Sequence, residues 1–493
     1  MTTREPLHPA EERLLDAALA QHFAGTRTVA PATHRSRWLA AALLLLGLGV
    51  VAATMWQVRQ APTDEIQEPE PAPLPPEVTG DGKTQLAALP ATVPHLFAKF
   101  VDPRDLPVLT RFTALRGLRL WAEKIHVAGI NTGQYHGRWS SPPDDLLQPL
   151  AGLHQLEVLK LPRDLVVTPT VLAPLAGHPT LRELQLVGSL TRGNQVVDAA
   201  LVEALAAIPK LRALHLMFVR IDGDVLPQLA KLPLESLELE WCNGLDAKGW
   251  AALLSMRGLR RLSFKDWDWH TDTVAKEGPR PWRPQAADLR RLHELPQLRT
   301  LELMNCGLRD DELAALPDTL HALVLLGHEL SPAGYAHLQR FAVLRRLDLG
   351  LRLSSQSLFV ERQTTLEQAA TADAAAAALK TLRLRMLRCV GELSPALREA
   401  IAAQRDLSEL SIVSDNLSDL PALGALKKLE RLRLAEQRQP GGLTLDLLRP
   451  LRDLPALREL EVHAHDVDDA AVKALFGERV AVKTSSWKTV PKR

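Results

Sequence analysis

A chain of 493 residues is longer than a single compact core supports, so it is either several domains or an elongated array of repeats. Apolar residues make up 46% of it and aromatics only 4%, which leaves the packing to leucine and alanine. With 59 Lys and Arg against 58 Asp and Glu there is no general drive toward nucleic acid or anionic lipid, and three cysteines complete neither a disulfide framework nor a zinc pattern.

Residues 9–23, PAEERLLDAALAQHF, place Leu14, Leu15, Ala18, Leu19 and Phe23 on one side of a short amphipathic helix. Such a helix either lies solvated or on a membrane surface, or docks a cytoplasmic partner. Residues 38–58, WLAAALLLLGLGVVAATMWQV, carry no charge and reach the ~20 residues a bilayer span needs. Trp38 and Trp56 bracket the run about 27 Å apart along a helix, as interfacial anchors would. Two other readings stand beside a span. A buried core helix would be unusual without a polar face. A cleavable signal peptide has a small-residue site at Val51-Ala52-Ala53, but 37 residues precede the apolar run, far more than an ordinary leader carries.

Arg27, Arg35 and Arg37 precede the run and only Arg59 soon follows it. The positive-inside rule therefore places residues 1–37 in the cytoplasm and the remainder outside. Residues 59–95 read as a linker, because alternating Pro and Glu in QEPEPAPLPPE (67–77) favour an extended spacer.

From residue 115 the pattern LxxLxL recurs, with Phe264, Ile412 or Val462 in the third place of three copies. The thirteen copies begin at Leu115, Leu156, Leu181, Leu211, Leu234, Leu259, Leu298, Leu320, Leu344, Leu379, Leu407, Leu429 and Leu457. Most intervals are 22 to 30 residues, and three reach 41, 39 and 35. In each copy the xLxL part predicts a short strand whose leucines point one way and whose intervening residues point the other. One such unit cannot bury its own apolar face, whereas stacked units bury it against each other. Helix starts follow the strands: Thr168-Pro169, Ser331-Pro332 and Ser394-Pro395 put a capping hydroxyl before a proline, and Asp222, Asp310 and Asp468 suit the same role.

Over roughly residues 106–485 the chain resembles a leucine-rich-repeat protein. Copies such as 298–316 (LRTLELMNCGLRDDELAAL) are similar to the cysteine-containing, ribonuclease-inhibitor-like type, in a membrane-anchored bacterial setting. The resemblance implies a right-handed α/β solenoid, a horseshoe with a parallel concave sheet and convex helices. Here it would occupy 96–485 in about 13 repeats, preceded by a single transmembrane helix and followed by a basic tail at 486–493. Only Cys242 and Cys306 occupy the cysteine position of the pattern. Members of the family bind proteins or other macromolecules along the concave sheet.

On that face the expected outward row runs Arg119, Lys160, Gln185, His215, Glu238, Ser263, Glu302, Val324, Asp348, Arg383, Ser411, Arg433 and Glu461. Its mixed sign suits a protein surface better than a uniform polyanion. Two concentrations are candidate ligand-binding sites. The first joins Glu238, Glu240 and Trp241 to Lys265, Trp267 and Trp269 of an insertion at 265–284; five of the ten tryptophans fall between 241 and 282. The second pairs Arg383 and Arg385 with Arg431 and Arg433. Further insertions fall at 121–144 and 350–378, the latter ending in an alanine-rich helix.

No HExxH, P-loop, GxSxG or dinucleotide glycine pattern occurs, so no catalytic, cofactor or metal residue is assigned. His463, His465 and Asp466 resemble a metal trio only superficially. The expected function is a non-catalytic interaction module with a protein or cell-envelope ligand, held in the membrane by residues 38–58 and displayed outside the cytoplasm. No nucleic acid or small-molecule substrate is implied. The Leu, Ala, Arg and Pro bias fits a bacterium with a high-GC genome. The alternative is a single-pass signalling regulator in which the helix at 9–23 reports ligand capture inside the cell.

Overall fold

Among the described residues, sixteen strands, all parallel to their neighbours, form one sheet from Glu77–Val78 to Ala481–Ser486 in almost unbroken chain order. The computed structural model describes residues 77–78, 82–100, 103–122, 142–163, 165–188, 195–221, 224–242, 245–265, 285–328, 330–351, 365–391, 393–414, 417, 420–436, 443–464 and 467–486. All of them belong to one unit, Leu74–Arg493. The amphipathic segment 9–23, the apolar run 38–58 and the tail 487–493 lie outside the described residues. Among the described residues no helix is long and apolar enough to cross a membrane.

Leucine spacing sets the register. Leu301 pairs with Leu323 and Leu303 with Leu325, and these inward side chains are 0 to 3% exposed. Strands from Gly117–Ala122 to Glu459–Ala464 enter the ladder in the same way. The carbonyl of Arg260 accepts from the N–H groups of Arg299 (2.9 Å) and Thr300 (3.0 Å), and that of Arg299 accepts from His321 and Ala322. The return segments are short α- and 3-10 helices whose apolar side chains close the same core, making an α/β solenoid of leucine-rich units. Burial of fully apolar layers between units supplies the cohesion that no single unit has.

Helix starts follow local chemistry. The side chains of Thr168 and Ser394 accept from the N–H of Val171 and of Leu397, each at 3.2 Å, and Ser331 accepts from Ala333 and Gly334. Asp468 caps in the same way, through Ala470. Asp310 does not: it is the first residue of the helix Asp310–Ala315, and Glu312 instead accepts from the backbone N–H of Arg309 at 2.8 Å. Asp310 is drawn to the next unit, where it accepts from the backbone N–H and the hydroxyl of Ser331.

Three expectations are corrected. The sheet starts before residue 96, since Glu77–Val78 pairs with Phe97–Ala98 and Leu86 of the helix Gly82–Ala88 is fully buried; a linker across all of 59–95 is therefore too long. The match beginning at Leu379 is not a strand. Leu379 ends the helix Thr365–Leu379, whose Ala372, Ala375, Ala376 and Ala378 are buried, so the alanine-rich stretch is an ordinary return helix rather than part of an insertion. The unit begins at Leu384, and its strand is Met386–Val390, with Leu387 opposite Leu347 and Cys389 opposite Leu349. The carbonyl of Arg385 accordingly accepts from Ser408 and Glu409, the place Arg345 holds one unit earlier.

Candidate functional site

The outward face of the sheet carries two groups of interacting polar side chains. The first spans four strands, where register puts His215, Glu238, Ser263 and Glu302 side by side. Lys265 Nζ donates to Glu238 Oε1 and lies 3.6 Å from Glu302 Oε2; Arg261 donates to Glu302 Oε1, and Ser263 Oγ donates to Glu302 Oε2 at 3.1 Å. His215 Nε2 stands 3.4 Å from Glu238 Oε1 and 3.4 Å from Glu240 Oε2, within ion-pair reach but without hydrogen-bond geometry.

Glu302 is 4% exposed and Ser263 fully buried, so this is a charge network in a low-dielectric layer rather than a solvated surface. Burial opposes ionisation of Glu238, yet His215, Lys265 and Arg261 outweigh it and hold the carboxyl below its ordinary 4.5. Burial likewise opposes the Lys265 ammonium, but Glu238, Glu302 and Glu240 raise it above 10.5. The ligand atoms of His215, Glu238 and Glu240 lie within 4.8 Å of one another, a spacing open to a divalent cation. Such an ion would first have to displace Lys265 from Glu238.

Beside this network the chain leaves the sheet through residues of left-handed backbone. Phe218 has φ 54° and Trp241 φ 52°; the same place is Asn305 (φ 55°), Gly327 and Gly391 in later units. Four of them continue the ladder: the N–H groups of Phe218, Trp241, Asn305 and Gly391 donate to the carbonyls of Glu240, Lys265, Leu326 and Val413. The two rings stack at 5.9 Å with a 29° interplanar angle, and the Arg163 guanidinium lies 5.1 Å over Phe218. Both aromatics are only half-buried. The Sγ of Cys242 donates to the Leu216 carbonyl at 3.2 Å, and that of Cys306 to the carbonyls of Phe264 and Met304, so these thiols tie down the turns. Cys389 lies in the core, where burial pushes its thiol up to about 12.

Thus Glu238, Glu240, Trp241 and Lys265 come together, while Trp267 and Trp269 lie outside the described residues. Sequence reasoning passed over Phe218, which no leucine pattern marks, and left His215 in the outward row without a role.

The second group lines a trough of about 300 Å³ between Arg346 and Lys483. Arg431 and Arg433 line it; Arg383 and Arg385 do not. The corrected register places Arg385 before the strand and Arg383 earlier still, both exposed, and brings Arg388 into the outward row opposite Asp348 and Ser411. Spacing was no signal, because starts at Leu379 and at Leu384 leave 28 and 23 residues to Leu407, both within the usual interval. Further along the face, His463 Nε2 meets Glu461 Oε1 at 2.6 Å and Nδ1 meets Ser485 Oγ, while His465 lies outside the described residues.

No family model matches the chain, nor does any curated protein. Solved structures similar to it include an LRR protein of Leptospira interrogans, at 15% identity over 76% of this chain and 91% of that one with a TM-score of 0.31. An internalin of Listeria monocytogenes is similar at 14% identity over 82% and 89%, with a TM-score of 0.30. TLR13 in its complex with ssRNA13 is similar at 15% identity over 80% of this chain and 55% of that one, with a TM-score of 0.34. At these scores the solenoid rests on the strand register and leucine spacing of the chain itself.

Proposed function

We propose that the protein is a non-catalytic interaction module, anchored by residues 38–58 and displayed outside the cytoplasm, that captures a protein partner on the outward face of its sheet. The observation that carries this reading is the aromatic pair Phe218–Trp241. A bulky side chain at positive φ costs on the order of 1–3 kcal/mol, and the fold meets the same turn elsewhere with Asn305, Gly327 and Gly391. Core packing does not call for two large rings there, because both remain half-exposed. Stacked on each other and braced by Arg163, they offer a rigid apolar patch beside a charge network, the composition of a binding hot spot.

The test is capture of partners from a membrane extract by the full-length chain and by Trp241→Ala. Loss of the captured protein, with helix and strand content and melting temperature unchanged, supports the patch as the contact. Unchanged capture by Trp241→Ala and by Trp267→Ala removes it.

A further inference from the structure

The trough supplies an inference that rests on the reading of the outward face as a protein-binding surface and names the chemistry it recognises. We propose that Arg388 and Ser411 form a site for one carboxylate, presented by an Asp or Glu side chain on an acidic segment of the partner. The two residues stand opposite each other on adjacent parallel strands, with Asp348 on one side and Arg433 on the other. Arg388 Nε and Ser411 Oγ are both buried with no hydrogen-bond partner among the described residues. Two unpaired donors on neighbouring strands, both on residues that line one cavity, are what an incoming oxygen pair would satisfy.

Charge selects the ligand. Five cations line the trough: Arg346, Arg388, Arg431, Arg433 and Lys483. Four carboxylates line it as well: Asp348, Glu409, Glu459 and Glu461, which leaves one positive charge. Three of the arginines are already engaged, Arg346 with Asp348 at 3.4 Å, Arg431 with Glu409, and Arg433 with Glu461 at 3.7 Å. Arg388 forms no ion pair among the described residues, and its planar guanidinium suits a carboxylate in bidentate contact. A phosphate dianion fits less well, because it would bring two charges to a surplus of one among four fixed carboxylates. The trough is also too open and too mixed in sign to concentrate a polyanion.

The experiment measures binding of a fluorescent peptide containing three glutamates, and of its glutamine counterpart, to the full-length chain at low salt. The glutamate peptide should bind, and its affinity should fall at least tenfold in Arg388→Gln and severalfold in Ser411→Ala. Arg385→Gln, outside the trough, should bind as the parent does. The peptide should also raise the parent's melting temperature and leave that of Arg388→Gln unmoved, since only a ligand bound to the folded state stabilises it. Equal binding by the parent and by both trough variants overturns the site, as does absence of binding or equal binding of the glutamine peptide. Displacement by inorganic phosphate at lower concentration than by acetate overturns the carboxylate assignment. Should Arg388→Gln fail to fold, Ser411→Ala carries the test. A trough that passes while Trp241→Ala captures normally locates the failure in the aromatic patch instead.

Discussion

Glu238 shows how a single carboxyl on this sheet couples stability to pH. Its folded pKa lies below the ordinary 4.5, so the unfolded chain binds more protons around that value. Its contribution is complete above the unfolded pKa and is lost as pH falls through the folded one. Lys265 works in the opposite sense: with its folded pKa above 10.5, its contribution is complete below that value and is lost as pH rises through the folded pKa. Stability from the pair is thus flat across neutral pH and declines at both ends. Glu238→Gln should lower the melting temperature at pH 7 and weaken its further decline toward about pH 4. Melting curves of equal acid slope in the two proteins would exclude Glu238 as the coupled group. Glu238 and Lys265 were legible as candidates from the strand pattern. That Glu302 lies buried beneath them was not, because outward alternation predicts exposure and only neighbouring units decide coverage.

At the scale of single elements, the capping hydroxyls were readable from dipeptides, because a hydroxyl before a proline satisfies a free N–H without help from the rest of the fold. Ser331 does more than cap, since its hydroxyl also donates to Asp310 of the preceding unit. Ser394 repeats the device toward Asp373 at 2.8 Å. Ser331→Ala should therefore cost about 1 kcal/mol from the cap, a magnitude typical of such losses, and somewhat more from the severed link. Chemical unfolding of the single and double variants with Asp310→Ala tests this. Losses that add fully would show that no coupling runs between the two helices. The misplaced strand at Leu379 belongs to this scale too. Leucine at a helix end, in the turn and before the strand mimics LxxLxL, and local spacing alone does not separate the two. Cys389 in the third leucine position hid the true strand further.

For the molecule as a whole, the proposed function assigns membrane attachment to the uncharged residues 38–58, which lie outside the described residues. Deleting residues 1–60 should move the protein from the membrane fraction to the soluble one while the solenoid, which begins its sheet at Glu77–Val78, keeps its melting temperature. A deletion variant that stays with membranes after alkaline extraction would assign attachment to another part of the chain. Reporter fusions on either side of 38–58 test the orientation in the same cells. The repeat architecture itself was legible from sequence because its cause is periodic: a leucine every second residue in each strand, renewed every 22 to 30 residues in most units, leaves no other surface to bury. Tertiary structure alone decided which outward side chains bond and which are buried. The order His215, Glu238, Ser263, Glu302 along the row follows from repeat order, but the ion pairs among them and the burial of Glu302 do not, and Arg388 joins Ser411 only once the register of the Met386–Val390 strand is set. Periodicity specifies a face, whereas contacts across it depend on alignment between strands, and an error of five residues in one unit exchanges Arg383 for Arg388.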